Sequence, residues 1–274
     1  MKQYLEALQY VLNNGVDRPD RTGVGRRAIF GVPMRFNLAE GFPAVTTKKL
    51  AFNAVKAELL WFLMGSSDNK KLQEMGCHIW DANAEAPYWK PKAEFEGDLG
   101  RVYGVQWRSW KSPYTDQPID QLKKAIENIK NNPYDTRSLV SAWNPAELEM
   151  MALPPCHLLY HFFVANNKLS LLMYQRSCDM FLGVPFNIAS YSLLLSMVAQ
   201  VVGLGVGEFV HILGDAHIYL NHFEQVKEQL SRVPLAPPKL WLNPEIKDID
   251  KFAMDDIKLI DYQSHPPIKA EMAV

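Results

Sequence analysis

The stretch LLYHFFVANNKLSLLMYQRS, residues 158–177, decides the fold of this chain. Two runs of apolar and aromatic residues flank Asn166 and Asn167. Such runs favour β-strands, and asparagine tolerates the left-handed backbone that a tight turn requires. We therefore predict two strands joined by a turn at the asparagine pair, and a further strand in SLVSAWN, residues 138–144.

Helical patterns lie on both sides of these strands. Apolar spacing predicts helices at residues 2–14, 51–64, 120–132 and 187–204, the last with Gly203 near its end. Alternation around Ile29 to Phe36 predicts a strand or hairpin, and residues 77–117 predict long loops with short helices. Because helices and strands do not alternate strictly, the pattern favours a single α+β domain, residues 1–274.

Composition excludes several classes of function. The chain has 29 basic and 30 acidic residues, whereas proteins that bind DNA generally carry a basic excess. Cys77, Cys156 and Cys178 form an odd set without metal-ligand spacing, so we expect a reducing compartment, no disulfide framework and no metal. No signal peptide and no apolar run of about 18 residues is recognised, which predicts a cytoplasmic protein without membrane contact.

Two residues stand out as candidates for chemistry. Cys156 follows a diproline in MALPPCHLLYHFFV, residues 151–164, and is either a small buried hydrophobe or a nucleophile at a strand edge. Glu58 lies in AVKAELLWFLMG, residues 54–65. It either faces solvent on an amphipathic helix or lies against apolar walls, where loss of water would raise its pKa into a range useful for proton transfer.

Further polar residues suggest a ligand. Arg176 ends an apolar run and suits a phosphate or carboxylate, while Asn187 is either a helix cap or an amide directed at a ligand. Asp215, His217 and Tyr219 share one face if their segment is a strand. A metal site is conceivable there, although His217 and Tyr219 suit hydrogen bonds to hydroxyls better.

Longer motifs resemble one family. DRTGVG, TTKK, ELLWFL, IWDAN, GDLGRVYGVQWR, VSAWNP, ALPPCH, YQRSCDMFLGVPFNIASY, GDAHIYLNH and IKAEMAV span almost the whole chain. Together they resemble the folate-dependent thymidylate synthases, which use a cysteine nucleophile. The resemblance implies reductive methylation of dUMP to dTMP, with 5,10-methylenetetrahydrofolate supplying the carbon and the hydride and leaving as dihydrofolate.

The same resemblance implies roles for individual residues. Cys156 would add to uracil C6, Arg176 would stabilise the thiolate, Asn187 would bind the base, and Glu58 and Tyr103 would handle protons. The implied dUMP ligands are Arg21, Arg137, His157, Gln175, Arg176, Ser177, Cys178, Asp179, Asn187, His217 and Tyr219. The implied folate ligands are Lys49, Glu58, Trp80, Asp179, Gly183, Phe186 and Ala273.

The resemblance also implies an assembly. A large, mostly antiparallel or mixed sheet would be packed by helices on one side and form a homodimer interface with its other face. Arg137 would reach the phosphate in the partner's active site. The last residues, 271–274, would close over the folate and exclude water.

Some positions depart from the family pattern. Thr136 stands where an arginine is common, Arg101 where proline is usual, Ala51 where bacterial members often have histidine, and Asn83 where some have tryptophan. Arg101 either supplies a cation that replaces the one missing at Thr136 or lies on the surface.

Two other functions remain open. A dUMP hydroxymethylase would form the same cysteine adduct but add water instead of hydride and release tetrahydrofolate. A catalytically inactive member would bind nucleotide or RNA as a regulator, although Cys156, Glu58 and Asn187 argue against that function.

Overall fold

A strand–turn–strand unit forms the centre of the computed structural model, which describes residues 1–20 and 23–271. Strand β6, His157–Ala165, pairs antiparallel with β7, Lys168–Asp179. Asn166 and Asn167 have φ of 50° and 57° and join the paired residues Ala165 and Lys168. The predicted two-residue turn is therefore confirmed, and its left-handed backbone explains the asparagines.

Six strands form the main sheet of the described residues. The order is β1-β2-β8-β7-β6-β5, in which β7 and β8 run parallel and the other neighbours run antiparallel. The α+β class with a mixed sheet is thus confirmed. The other four strands of this sheet are β1 Val16–Arg18, β2 Arg26–Asn37, β5 Leu139–Ser141 and β8 Gly205–Tyr219.

Two small hairpins lie outside the main sheet. They pair β3 Trp110–Ser112 with β4 Thr115–Ile119, and β9 Lys239–Leu242 with β10 Ile257–Ile260. The first hairpin falls in the region predicted as loops with short helices, because its strands are short and mostly exposed and carry little hydrophobic pattern.

The α-helices of the described residues are α1 Lys2–Asn14, α2 Phe52–Leu63, α3 Asn69–Glu74, α4 Asp81–Ala84, α5 Tyr103–Arg108, α6 Gln121–Asn131, α7 Gly183–Val202 and α8 Phe223–Ser231. Helices α1, α2, α6 and α7 lie at the four predicted helical positions, and α4 and α5 lie in the region predicted to hold short helices. Helix α7 begins four residues before the predicted start. Pro185 lies in its first turn, where the missing amide proton breaks no helical hydrogen bond.

Helix α7 is the core of the molecule. By length and composition this helix could cross a membrane, but 83% of an 18-residue apolar stretch within it is buried inside the protein. It packs on β7 and β8, and α2 packs on α7 and on α5. Gly203, with φ of 74°, ends the helix in the left-handed conformation that glycine adopts readily.

The opposite face of the main sheet is open in the single chain. Phe163 on β6 is 63% exposed and Leu139 on β5 is 41% exposed. The register places Leu139, His161 and Leu172 in one row of this face. A sheet face with exposed large apolar side chains is a typical interaction surface.

Helix α5 approaches α2 closely at Gly104. A Cβ added at Gly104 would lie 2.4 Å from the carbonyl oxygen of Phe62 and 2.6 Å from its Cα. This contact is with backbone, which cannot move aside as a flexible side chain can. The glycine therefore sets the position of the preceding residue, Tyr103.

We predict that Gly104→Ala lowers the free energy of unfolding by about 1–3 kcal/mol, because the added methyl group overpacks the α2–α5 contact. Urea denaturation monitored by circular dichroism measures this change. Gly183→Ala is the control, since its Cβ would meet its nearest neighbour at 3.7 Å, an ordinary contact. Equal stability of wild type and Gly104→Ala would contradict the explanation.

Candidate functional site

Cys156 lies at the end of the loop that enters β6. Its backbone amide donates a hydrogen bond of 2.7 Å to the hydroxyl of Tyr103, and its carbonyl accepts one of 2.8 Å from the amide of Arg176. The side chain is partly buried and forms no disulfide. Contacts from α5 and β7 thus hold Cys156 at the start of β6.

The diproline before Cys156 holds an arginine beside it. Arg176 donates from Nε to the carbonyl oxygen of Pro155 at 2.8 Å and from Nη2 to that of Pro154 at 3.0 Å. Its guanidinium also lies 5.5 Å from the ring centroid of Trp143. Proline lacks an amide proton but keeps its carbonyl, so the stiff loop anchors the cation next to the thiol.

Burial governs the acidity of Cys156. Loss of water raises its pKa above the ordinary value, while the charge of Arg176 and the hydroxyl of Tyr103 act in the opposite direction without overcoming burial. The charge of Arg176 alone would lower the pKa of Cys156 and so favour the thiolate. Because burial has the larger effect, the pKa of Cys156 is raised overall, and the resting side chain is a thiol at neutral pH.

Glu58 is buried rather than on a solvent face. Its side chain is on α2, only 7% exposed, and its Oε1 accepts a 2.7 Å hydrogen bond from the indole of Trp80. Burial raises the pKa of Glu58 to about 7, although the Trp80 hydrogen bond lowers it in part. The carboxyl is thus able to hold or release a proton near neutral pH.

Tyr103 joins Glu58 to Cys156. Its ring lies 5.9 Å from that of Trp80 and stacks on His157 at 4.0 Å, and its hydroxyl meets the Cys156 amide. His157 in turn lies 2.6 Å from the hydroxyl of Tyr191 through Nδ1, and burial lowers its pKa to about 3. The structure therefore brings the thiol, a neutral imidazole, a phenol and a carboxyl into one cluster.

Asn187 points into the same region from α7. It lies in the first turns of the helix and does not cap it, since Leu182 holds the N-cap position. Its Oδ1 accepts a hydrogen bond of 3.1 Å from Gln175 on β7, which also donates to the carbonyl of Ser177 at 3.0 Å. The capping alternative is therefore wrong, and the amide has a fixed partner.

Asp215, His217 and Tyr219 share one face of β8, as predicted. His217 Nδ1 lies 3.0 Å from Asp215 Oδ1, and Arg26 Nη2 pairs with Asp215 Oδ2 at 2.9 Å. The ring of Tyr219 lies 5.2 Å from that of His217. Residues 1–20 and 23–271 contain no group of three or more His, Cys, Asp or Glu side chains that could hold a metal ion.

Sequence reasoning missed Lys48. This side chain is 7% exposed, donates to the carbonyl of Phe181 and lies 3.6 Å from the Phe181 ring centroid. Burial lowers its pKa to about 8, while the charge of Asp179 acts to raise it. The neighbouring Lys49, which was selected from the sequence, is exposed. The available signal was a lysine at the end of the otherwise uncharged segment FPAVTTK, residues 42–48.

The structure also locates most of the remaining predicted residues. Asp179 Oδ1 accepts from the amides of Phe181 and Leu182, just before Gly183 begins α7, and Phe186 is partly buried. Cys178 is fully buried, and its thiol donates to the carbonyl of Gln175, so its side chain belongs to the core. Arg21 and Ala273 lie outside the described residues.

Arg137 has a different environment from the cluster. Its side chain is 86% exposed and pairs with Asp135, whose pKa it lowers to about 2. The residue precedes β5, the edge strand of the main sheet. Its guanidinium is therefore accessible from outside the chain.

Arg101 answers one question left by the sequence. Its side chain is 13% exposed, its Nε lies 2.6 Å from Glu147 Oε2, and its Nη2 donates to the carbonyl of Ser109 at 2.7 Å. Gln106 and Asn144 donate to the same carboxylate oxygen. Arg101 is thus neither a surface residue nor a free cation that replaces the arginine missing at Thr136.

Comparison with known families agrees with the motifs. The sequence model of the thymidylate synthase family matches residues 2–274, essentially the whole chain.

The raised pKa of Glu58 predicts a specific dependence of stability on pH. Between about pH 4.5 and pH 7 the folded chain keeps a proton that the unfolded chain has released, so stability falls as pH rises. We predict that this contribution amounts to about 3 kcal/mol and disappears in Glu58→Gln. Urea denaturation across this pH range measures it.

The exposed Glu245 provides the matched control, because Glu245→Gln removes a carboxyl without removing a buried one. Parallel stability profiles for wild type and Glu58→Gln would show that Glu58 titrates normally.

Proposed function

The chain belongs to the thymidylate synthase family, and from this premise we propose that it converts dUMP to dTMP through a covalent bond between Cys156 and uracil. Members of the family are methyltransferases that act on dUMP with methylenetetrahydrofolate as co-substrate. The observation that carries the proposal is the contact chain from Glu58 through Trp80 and Tyr103 to Cys156. We further propose that residues 1–274 form one catalytic domain.

The first step uses the thiol. Cys156 releases its proton and adds through sulfur to C6 of uracil, while the electrons of the C5–C6 double bond move toward O4. Arg176, held beside the thiol by two proline carbonyls, favours the anionic sulfur. Glu58, with a pKa near neutrality, serves proton transfer at O4. C5 thereby becomes a carbon nucleophile.

The second step transfers the carbon. C5 bonds to the methylene carbon of the folate as the bond from that carbon to folate N10 breaks and N10 takes up a proton. C5 then loses its proton to water, which the hydroxyl of Tyr103 is proposed to hold. Breaking the remaining bond, from the methylene carbon to folate N5, leaves an exocyclic methylene on the nucleotide and frees tetrahydrofolate. Hydride from tetrahydrofolate reduces the methylene to methyl, the sulfur leaves C6, and dihydrofolate and dTMP result.

We propose three groups of dUMP ligands. Asn187 binds the base, with His157, Gln175, Cys178 and Asp179 around it, and the main chain of Cys178 is the part available to the ligand because its thiol is in the core. Arg21, Arg176 and Ser177 bind the phosphate, and His217 and Tyr219 bind the sugar hydroxyl. The β7–β8 register supports this arrangement, since Ser177 lies opposite Asp215 and Asp179 lies opposite His217.

The folate is proposed to lie against Trp80, with Glu58, Asp179, Gly183, Phe186 and Ala273 as further ligands. Lys49 is exposed and suits the negatively charged glutamate tail. Lys48, next to Phe181 and under the influence of Asp179, joins this group as a second cation. An apolar wall with a few polar contacts is the common form of a small-molecule site.

The hydroxymethylase alternative depends on water reaching the exocyclic methylene. Trp80 is 6% exposed and lies between Trp61 and Tyr103, with its indole bound to Glu58. Such a buried aromatic wall restricts water and favours hydride transfer. An inactive nucleotide- or RNA-binding regulator would not need a carboxyl whose pKa lies near neutrality and which Trp80 and Tyr103 connect to a cysteine.

The decisive experiment is product analysis with a cysteine control. We expect wild type and Cys77→Ala to form dTMP and dihydrofolate from dUMP and methylenetetrahydrofolate, and Cys156→Ala to bind dUMP without turnover. Cys77 is a suitable control because it is buried and free. Hydroxymethyl-dUMP with tetrahydrofolate would establish the alternative, and near-normal turnover by Cys156→Ala would refute the covalent mechanism.

We propose that the enzyme is a cytoplasmic homodimer with shared active sites. The open sheet face, with Phe163 and Leu139 exposed, is the proposed interface. Exposed Arg137, at the sheet edge, would reach the phosphate bound by the partner subunit. A two-fold interface presents the same face from both copies, which suits a sheet face that is open in the single chain.

Complementation between variants tests the shared site. Cys156→Ala and Arg137→Ala are each expected to have low activity alone, but subunit exchange creates heterodimers with one site that holds both native residues. Random exchange should therefore restore about a quarter of wild-type activity. Activity that stays at the sum of the separate variants would show that Arg137 does not act across an interface.

A further inference from the structure

Another buried histidine, His211, lies on the core side of the proposed base site. His211 on β8 is 0% exposed, and its Nε2 is 2.9 Å from Oε1 of Gln175 on β7. Gln175 itself is 3% exposed and contacts Asn187. The three side chains thus form a line of hydrogen bonds from the core to the amide that is proposed to bind uracil.

Chemistry determines the direction of each hydrogen bond in this line. The Ser177 carbonyl can only accept, so the amide nitrogen of Gln175 must face it, and the Gln175 oxygen then faces His211. His211 therefore carries its proton on Nε2. Burial lowers the pKa of His211 to about 3, so the ring is neutral and Nδ1 is bare. Nδ1 indeed has no hydrogen-bond partner in the part of the chain described.

The orientation of the Gln175 amide determines that of the Asn187 amide. The Gln175 nitrogen donates to Asn187 Oδ1 at 3.1 Å. Rotating the Asn187 amide by half a turn would set its nitrogen against the Gln175 nitrogen, two donors facing each other. The observed orientation is therefore the favoured one.

The orientation of Asn187 matters because an amide can present two opposite patterns. With Oδ1 toward ring N3 and Nδ2 toward position 4, it complements uracil, which offers N3–H and a carbonyl oxygen. With the ends exchanged, the same amide complements cytosine, which offers a bare N3 and an amine. Asparagine alone therefore does not choose between the bases.

We propose that His211 is a positioning residue for base specificity: its hydrogen bond to Gln175 acts together with the Ser177 carbonyl to hold Gln175, and through it Asn187, in the position and orientation that accept uracil. This inference rests on the proposed function, since it assumes that Asn187 meets the base. His211 itself does not touch the nucleotide. The Ser177 carbonyl determines which end of the Gln175 amide faces it, and the His211 hydrogen bond keeps that amide in place, with its nitrogen against Asn187 Oδ1.

The test compares dissociation constants for dUMP and dCMP, measured by calorimetry without folate. His211→Phe keeps a ring of similar size but removes the donor, and we expect the preference for dUMP to fall about tenfold, the value of one hydrogen bond. His211→Gln places an amide nitrogen where the imidazole Nε2 was, and should keep the preference. His211→Asn is too short to reach, and should lose it.

Phe209→Leu is the packing control. Phe209 is fully buried and its ring lies 5.4 Å from that of His211, so the change disturbs packing without removing the hydrogen bond. It should weaken both nucleotides equally. Thermal melting checks that each variant folds, and if His211→Phe does not fold, the comparison of the Gln and Asn variants decides.

An unchanged preference in His211→Phe, or equal preference in the Gln and Asn variants, would overturn the inference while leaving the proposed function intact. An equal loss of preference in Phe209→Leu would also overturn it, because packing alone would then explain the effect. Failure of the wild type to prefer dUMP over dCMP would instead refute the proposed function.

Discussion

Backbone hydrogen bonds between the parallel strands β7 and β8 bring two polar strand ends side by side. Their register sets Ser177 against Asp215 and Asp179 against His217, while the antiparallel pairing of β6 with β7 sets His157 against Gln175. Side chains from distant parts of the sequence thus meet at one end of the central strands. The loop with Cys156 ends at the same place, so the position of the thiol depends on the same backbone hydrogen bonds between strands.

Loss of water is the second agent that shapes the cluster. Burial moves the pKa of Glu58 up to about 7 and that of His157 down to about 3, and it also raises the pKa of Cys156. All three shifts favour the neutral form, as expected in a medium that solvates charge poorly. The cluster therefore holds protons that can move when a ligand changes the charge nearby. Arg176 remains the fixed positive charge beside the thiol, held by two proline carbonyls.

The donor or acceptor character of fixed groups also determines how polar side chains in the cluster are oriented. Groups that can only accept, such as the Ser177 carbonyl and the Asp215 carboxylate, determine which end of an amide or imidazole faces them. Acceptor-only groups also determine how the side chain of Arg101 is placed, since its partners are the Glu147 carboxylate and the Ser109 carbonyl. The charge of Arg101 is matched by a buried carboxylate, and its Nη2 donates to a carbonyl. Arg101 therefore belongs to a local network and is not an unpaired cation.

Local pattern in the sequence was sufficient for the strand–turn–strand unit, for α1, α2, α6 and most of α7, and for the shared face of Asp215, His217 and Tyr219. These features depend on residue spacing and on the backbone preferences of neighbouring residues, such as the left-handed asparagines. The family motifs supplied the residues of the candidate site, but not their environment. Only the tertiary structure showed that Glu58 is buried, that Lys48 rather than Lys49 is enclosed, that Arg101 pairs with Glu147, and that His211 stands behind Asn187. Each of these depends on contacts between distant segments, because burial and hydrogen-bond partners are properties of the packed chain and are absent from the spacing of residues along it.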